Sequence, residues 1–570
     1  MTETILQRIG AAVGERPEHP AVVYVREHDE DEVLTYRALA DRAAAVAARL
    51  REICEPGDRA LLMYPSGTEF VAAFLGCLLA RVVAVPAPLP GHFQYQRTRI
   101  SAIAQDAGAR VALTAAGGVP DVQEWAAADG GRVAVHATDA WSGAGAWAPP
   151  DGVDGSDVAL LQFTSGSTGD PKGVVVTHAN LSHNSACIAR VYGLTPQTPV
   201  GGWIPLYHDM GLMGQLVPAL VLGATAVLLS PTAFAKRPRM WLQTISRHRV
   251  HYSASPDFGY ELCLDRMTDA DVASLDLSCW KVAANGSEPV IASTLRAFTE
   301  RFAPVGFDGA AFTPSYGMAE ATVYVSGVPD PRPLTRSVSV AALEAGRLVA
   351  SSGADDATEV VNCGRPDDFT CRVVDPVTLH VLPEGDVGEI WLAGPSVGAG
   401  YWGRPDATAE QFEARTADGE GPFLRTGDLG ALVDGDLYVT GRAKEVVIIH
   451  GRNIYPQDVE HSIRAELREL ASLSGAAFAV CDDAGRDAMV VLHEVRGRRD
   501  GEALRDLVLS IQQLVARNFG VVPSEVHLLR PGAVRKSTSG KVQRTTMRDL
   551  HLAQELVPVA SWSRPVGAVR

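Results

Sequence analysis

The chain has 570 residues, of which 46% are hydrophobic and 21% charged, and a net charge of −16. That length exceeds one ordinary domain, and the apolar share is ample for packed cores, so two to four globular units are expected rather than a disordered or fibrous chain. With 67 acidic against 51 basic residues, the chain gains nothing from counterion release at nucleic acid, and nucleic acid is excluded as an expected partner.

The first segment, "MTETILQRIG", carries Glu3 and no long apolar core, so it does not read as a signal peptide. In "TYRALADRAAAVAARL", Leu39, Ala43, Val46, Ala47 and Leu50 fall on one helical face, with Thr35 as N-cap. "RALLMY" follows as a buried strand. "FVAAFLGCLLA" (Phe70 to Ala80) stops at Arg81, is too short to span a bilayer, and reads as a buried helix. "RVVAVPAP" then repeats the rhythm of helix, apolar run and proline-rich turn. Strands alternating with helices at this spacing predict an α/β fold with a mostly parallel sheet. Cys54, Cys77, Cys187, Cys263, Cys279, Cys363, Cys371 and Cys481 form no C-x-x-C pair, so ordinary thiols in a reducing, cytoplasmic setting are expected.

"VALLQF" reads as a strand and runs into "TSGSTGDPKGVVV". Thr164, Ser165, Ser167 and Thr168 supply hydroxyls. Gly166, Gly169 and Gly173 let backbone N–H groups approach an anion, and Lys172 adds a charge that can reach a phosphate. A flexible Ser/Gly linker is the bland alternative, but the flanking apolar runs and the single lysine favour phosphate binding. The pattern is not that of the common nucleotide-binding loop, since Pro171 rather than glycine precedes Lys172, and Gly173 rather than Ser or Thr follows it.

Further on, "FTPSYGMAEAT" sets Tyr316 four residues before Glu320, an aromatic face able to stack on a purine and a carboxylate able to hold Mg²⁺. Residues 329–362 have weak periodicity and many small side chains, and read as an insertion. "GEIWLAGPSVGAGYWGRP" suggests a β-rich subdomain. "LRTGDLG" offers Asp428 on a tight turn, able to accept from two ribose hydroxyls. The strand "LYVT" ends at Gly441, the charged link Arg442 to Glu445 follows, and a new apolar run begins at Val446. The remainder alternates strands ("AAFAV", "AMVVLHEV") with a helix ("EALRDLVLSIQQLVARNF"), which fits a small α+β domain. "RKSTSGKVQR" places Lys541 on a Ser/Gly loop. Singly, Tyr316 could be core, Asp428 a turn-former and Lys541 a solvated tail; together they point to nucleotide chemistry.

In order, "TSGSTGDPKGV", "SYGMAEAT", "RTGDLG", "GRAKE" and "SGKVQR" resemble the core motifs of the adenylate-forming, acyl-activating superfamily over nearly the whole chain. "WIPLYHDMGLMG", "GRNIYPQDVE" and the insertion at 329–362 are similar to its fatty acyl-AMP ligases. The resemblance implies a large N-terminal domain (1–441) of parallel-rich sheets with a β-rich subdomain, a hinge (442–445) centred on Lys444, and a small mobile C-terminal domain (446–570). It implies ATP and Mg²⁺, with attack on the α-phosphorus. It assigns Thr164, Ser165, Gly166, Ser167, Thr168 and Lys172 to the phosphates. Ser287, Glu288, Pro289 and Tyr316 fall to adenine, Gly317, Met318 and Arg442 to the nucleotide more broadly, Asp428 to the ribose, and Glu320 to the metal. Lys541 is the implied catalytic lysine. His208 is expected near the carboxylate or as a packed, gating histidine. Met210, Gly211, Met213, Gly214 and Met318 are candidates for the acyl pocket. Ile454 stands where the family pattern has histidine. The implied acceptor is the phosphopantetheine thiol of a separate acyl carrier protein, because no serine-centred carrier motif follows Arg544. A fatty acyl-CoA synthetase and an inactive nucleotide- and lipid-binding protein remain the alternatives.

Overall fold

The computed structural model describes the chain apart from residues 1–2, 28, 92–93, 144–145, 165–170, 328–333, 354–355, 367, 450–451, 482–486, 498, 537–539 and 564–570. Ser165, Gly166, Ser167 and Thr168 therefore lie outside the described residues, as do parts of the insertion. Among the described residues no helix is long and apolar enough to cross a membrane, and the seven described cysteines are free.

Local chemistry starts the helices where the sequence predicts. Thr35 accepts from the Ala38 amide at 3.2 Å and opens the helix Tyr36–Ile53. Leu39, Ala43, Val46, Ala47 and Leu50 are all buried. The apolar run at 70–80 becomes the helix Thr68–Leu79, enclosed on all sides against the first helix.

Two large sheets carry the N-terminal body. In the six-stranded sheet, Ala134–Ala137, Val111–Thr114, Arg59–Leu62, Val83–Pro86 and Val158–Phe163 run parallel, and Gly173–Thr177 closes the edge antiparallel. In the eight-stranded sheet, Phe312–Tyr316, Val282–Asn285, Tyr252–Ser255, Val200–Gly202, Ala226–Leu229 and Pro20–Val25 are parallel, with an antiparallel strand at each edge. Buried on both faces, these strands are apolar runs rather than alternating ones. Trp241, Tyr260, Trp280, Phe298 and Phe312 meet edge to face or stacked beneath the second sheet.

The β-rich subdomain is an antiparallel sheet of Thr370–Val374, Gly388–Ala393, Leu424–Val433 and Asp436–Arg442. One expectation changes here. Asp428 is not on a tight turn but inside the strand Leu424–Val433, paired with Arg442. Arg442, the first residue of the expected hinge, ends the partner strand Asp436–Arg442. Gly427, at φ 71°, supplies the kink that "TGD" suggested.

The insertion is built on the hairpin Thr335–Ser339 with Ala357–Val361, between which the short helix Val340–Glu344 stands. Val338, Leu343 and Leu348 bury against Ala431, Tyr438 and Tyr455.

From Val447 onward a separate core forms around the sheet Gly475–Cys481, Asp487–Glu494, Glu525–Leu529 and Ala560–Ser563, with the helix Gly501–Phe519 against it. Arg464 reaches Glu261 of the N-terminal body at 2.8 Å, Gln457 donates to the Thr440 carbonyl at 2.8 Å, and Arg452 meets Glu344 of the insertion at 2.8 Å. Arg544 is largely buried between Glu445, at 2.6 Å, and Glu460, at 2.8 Å, and joins the link segment to the C-terminal core. Removing one member of such a cluster leaves buried charge uncompensated, so Arg544→Ala is expected to destabilise this core by about 3 kcal/mol. The shift should appear as an earlier denaturant transition for C-terminal fragments in pulse proteolysis; an unchanged midpoint contradicts it.

Candidate active site

The ends of these elements converge on one cavity of about 250 Å³. The strand Val158–Phe163 delivers Thr164, and its antiparallel neighbour starts just after Lys172. The Thr164 amide donates to the Lys172 carbonyl at 3.2 Å, closing the neck of the loop between them. Both residues line the cavity. The strand Phe312–Tyr316 delivers Tyr316, Gly317, Met318 and Glu320. Gly317 is required by close approach, since a Cβ there would lie 1.7 Å from the Val323 carbonyl oxygen.

Hydrogen bonds fix the polar wall. The buried Tyr316 hydroxyl donates to Asp428 Oδ2 at 2.8 Å, and Arg442 Nε donates to Asp428 Oδ1 at 3.0 Å. The Asp428 carboxylate beside it holds the Arg442 guanidinium firmly protonated. Burial, with Asp428 second, pushes the Tyr316 phenol far above its usual range. Glu320 accepts from the Tyr401 hydroxyl at 2.9 Å, and the Lys172 ammonium stands 4.9 Å above the Tyr401 ring. Burial raises the Glu320 carboxyl above the ordinary range, while the Tyr401 bond and the Arg442 charge pull it back.

Lys541 reaches this cavity from the C-terminal domain. Burial, then Arg442, lowers its ammonium pKa, while Asp209, Glu288 and Asp428 oppose the shift. Gly540 seats directly on Phe258, where a Cβ would lie 2.7 Å from the ring. His208 also lines the cavity. Its Nδ1 is 2.6 Å from Asp209 Oδ1 and 3.3 Å from the Met210 amide, which donates to it. Burial disfavours the Asp209 anion, but His208 and Lys541 outweigh it, and the carboxyl stays below its usual value.

Two non-glycine residues here take the left-handed region, Ser287 at φ 72° and Thr322 at φ 69°. For β-branched Thr322 this is an outlier, held by a buried hydrogen bond from its hydroxyl to the Ser396 carbonyl at 2.7 Å. Ser287 lines the wall. Glu288 and Pro289 do not; Glu288 instead accepts from the Phe258 amide at 2.7 Å, and burial raises its carboxyl pKa.

Of the acyl-pocket candidates, Met210, Gly214 and Met318 line the cavity and Gly211 and Met213 do not. Met213 is spent in the core, and Gly211 lies where a Cβ would meet the Pro205 carbonyl oxygen at 2.4 Å. The segment 212–216 is a π-helix, a local widening that turns Gly214 to the cavity. The apolar flank also holds Tyr192, Tyr252 and Tyr324, which the sequence analysis missed. Their rings meet at 5.0 and 5.7 Å. The Tyr192 hydroxyl is engaged by Ser315 and the Tyr252 hydroxyl by the Gly214 carbonyl, so the wall presents ring faces rather than polar tips. Asp209 and Tyr401 were missed too; "YHDMG" and "GAGYWG" were the only signals for them.

The cavity brings cationic, carboxylate and aromatic side chains together beside an apolar flank. Comparison with known proteins identifies the family. The profile of the AMP-binding enzyme family matches residues 10–402. The chain is 40% identical to a medium-chain-fatty-acid–[acyl-carrier-protein] ligase, JamA, of Moorena producens, over 90% of this chain and 89% of that protein. It is 37% identical to the long-chain-fatty-acid–AMP ligase FadD26 of Mycobacterium marinum, over 93% and 94%. Among solved structures, the fatty acyl-adenylate ligase of Legionella pneumophila in complex with acyl adenylate and pyrophosphate matches with a TM-score of 0.75 and 32% identity, over 99% of this chain and 98% of that one.

The Tyr401–Glu320 bond yields a pH test. It favours the charged carboxylate, so its loss must raise the Glu320 pKa further. Tyr401→Phe is expected to lower ATP-dependent pyrophosphate release about tenfold at neutral pH and to move the acidic limb of the pH–rate profile upward. An unmoved acidic limb means that Glu320 does not need its charge.

Proposed function

Because the chain belongs to the AMP-binding enzyme family, in its fatty acyl-AMP ligase branch, we propose that it activates a fatty acid with ATP and passes the acyl group to a carrier protein. The observation that carries this is Lys541 inside the cavity with Arg442 and Glu320, and with Asp428 hydrogen-bonded behind Tyr316 and Arg442. In the first step a carboxylate oxygen attacks the α-phosphorus and the bond to the β-phosphate oxygen breaks, giving acyl-adenylate and pyrophosphate. Lys541 neutralises charge developing between the carboxylate and the α-phosphate. Lys172 and Thr164, with the loop between them, face the departing phosphates. Tyr316 and Ser287 border the adenine, and Asp428 anchors the ribose. Glu320 is the side chain that would hold Mg²⁺, which supplies charge neutralisation at the phosphates. The acyl chain lies along Met210, Gly214 and the Tyr192–Tyr252–Tyr324 wall. His208 stands at the carboxylate end.

In the second step the phosphopantetheine thiolate of the carrier attacks the acyl carbonyl and AMP leaves. Lys541 fills part of the cavity, so a thiol needs a different placement of the C-terminal domain. The domain turns about Lys444, at the end of the antiparallel sheet. The insertion opposes this turn, through the contact of the helix Val340–Glu344 with Arg452–Ile454 and the Glu344–Arg452 pair. The CoA-synthetase alternative shares the first step and differs in the second.

Mass spectrometry after incubation with ATP and mixed free fatty acids identifies the adenylate. Adding either carrier protein or CoA then identifies the acceptor. Lys541→Ala is expected to lower adenylate formation by about 10² or more with ATP binding little changed. A variant that adenylates at the wild-type rate removes Lys541 from the chemistry.

The turn is tested separately. Lys444→Pro, which fixes φ, is expected to leave pyrophosphate release largely intact and abolish transfer. Replacing residues 335–361 by a short Gly–Ser link is expected to raise acyl-CoA formation at least about tenfold. Full transfer by the proline variant refutes the hinge. A folded deletion variant that still makes no acyl-CoA refutes the restraint.

A further inference from the structure

We propose that Glu525, His527 and His551 form a binding site for a first-row divalent cation, with Zn²⁺ as the best match, in the C-terminal domain and apart from the catalytic cavity. The local fold brings these three side chains together. Glu525 and His527 are two residues apart on the strand Glu525–Leu529, so they share one face. Val526 and Leu528 take the opposite face and are fully buried. His551 lies four residues after the buried Met547 on the helix Arg544–Leu552, on the same helical side. The two imidazole rings stand 5.3 Å apart.

The ligand geometry is close to that of an ion site. His527 Nε2 is 2.7 Å and His551 Nε2 3.7 Å from the two oxygens of Glu525, and one donor atom from each residue lies within 4.8 Å of the others. Two donors bound tetrahedrally to Zn²⁺ at about 2.1 Å are roughly 3.4 Å apart, a value the two distances bracket. Small side-chain rotations suffice to converge the set. Two imidazoles and a carboxylate suit Zn²⁺ and its neighbours rather than Mg²⁺ or Ca²⁺. The side chains are 14–31% exposed, which gives an ion access and leaves a coordination position for water.

A supporting partner is also present. His527 Nδ1 is 2.8 Å from the Ser561 hydroxyl on the neighbouring strand. A serine hydroxyl can donate or accept. Without an ion it donates to Nδ1 while Nε2–H donates to Glu525. With an ion it accepts from Nδ1–H and frees the Nε2 lone pair, the outer hydrogen bond that metal-bound histidines commonly have. A bound ion would tie the strand Glu525–Leu529 to the helix that begins three residues after Lys541.

A second cluster, His183, Cys187 and Asp368, is weaker, because Arg190 already pairs with Asp368. It nevertheless must be separated in the test. Chelator-treated full-length protein carrying Cys187→Ser is titrated calorimetrically with ZnSO₄. One Zn²⁺ is expected to bind with a micromolar or tighter Kd. His551→Gln and Glu525→Gln should each weaken binding at least tenfold, and Ser561→Ala about tenfold. The thermal transition of the parent should rise with Zn²⁺ and that of His551→Gln should not. Co²⁺ bound to the parent should give a d–d spectrum without a thiolate charge-transfer band. The proposal is overturned by failure to bind Zn²⁺ at micromolar concentration, or by an affinity unchanged in both ligand variants. Because the parent itself is titrated, misfolding of a variant cannot rescue the idea.

Discussion

The placement of one ammonium group, that of Lys541, in a cavity of the N-terminal body organises this site. Removing a charge from water is expensive unless opposite charge accompanies it. The opposing charges around Lys541 come from Asp209, Glu288 and Asp428, which sit on three separate segments of the N-terminal body. Lys541 itself belongs to the C-terminal domain. Charge compensation therefore crosses the domain boundary, and the polar wall is complete only when both parts are docked. The Arg464–Glu261, Gln457–Thr440 and Arg452–Glu344 contacts lie along that boundary.

The remaining site follows the same division between rigid support and polar tip. Tyr316 and Asp428 stand on strands of different sheets and are joined by one hydrogen bond across them. Glu320 follows the strand end and is oriented by Tyr401. The positive-φ residues Ser287 and Thr322 lie in the segments that follow the strands Val282–Asn285 and Phe312–Tyr316.

The sequence made some of this legible and hid the rest for physical reasons. Thr35, the apolar face of its helix and the buried strands were readable because they depend on neighbours in sequence. Lys172, Tyr316, Glu320, Arg442 and Lys541 were readable as motif residues, and the fold brings them to one cavity. Tyr401 and Asp209 were not singled out, because their roles arise from contacts with Glu320, His208 and Lys541 that no local pattern encodes. Gly211 and Met213 were placed on the acyl flank for their composition alone. The π-helix decides otherwise, turning Gly214 inward and Met213 into the core. Asp428 looked like a turn residue because Thr-Gly-Asp is common in turns, but the long antiparallel partner strand overrides that preference.

The seat of Gly540 on the Phe258 ring works as a mechanical stop. It is a bare backbone against a flat, partly buried surface, with no side chain between them. Lys541 is the next residue, so any error in that seating passes to the ammonium without damping. This touch adds a stop close to the ammonium to the ion pairs and hydrogen bond farther along the domain face, and any side chain at position 540 would lever Lys541 away from the cavity.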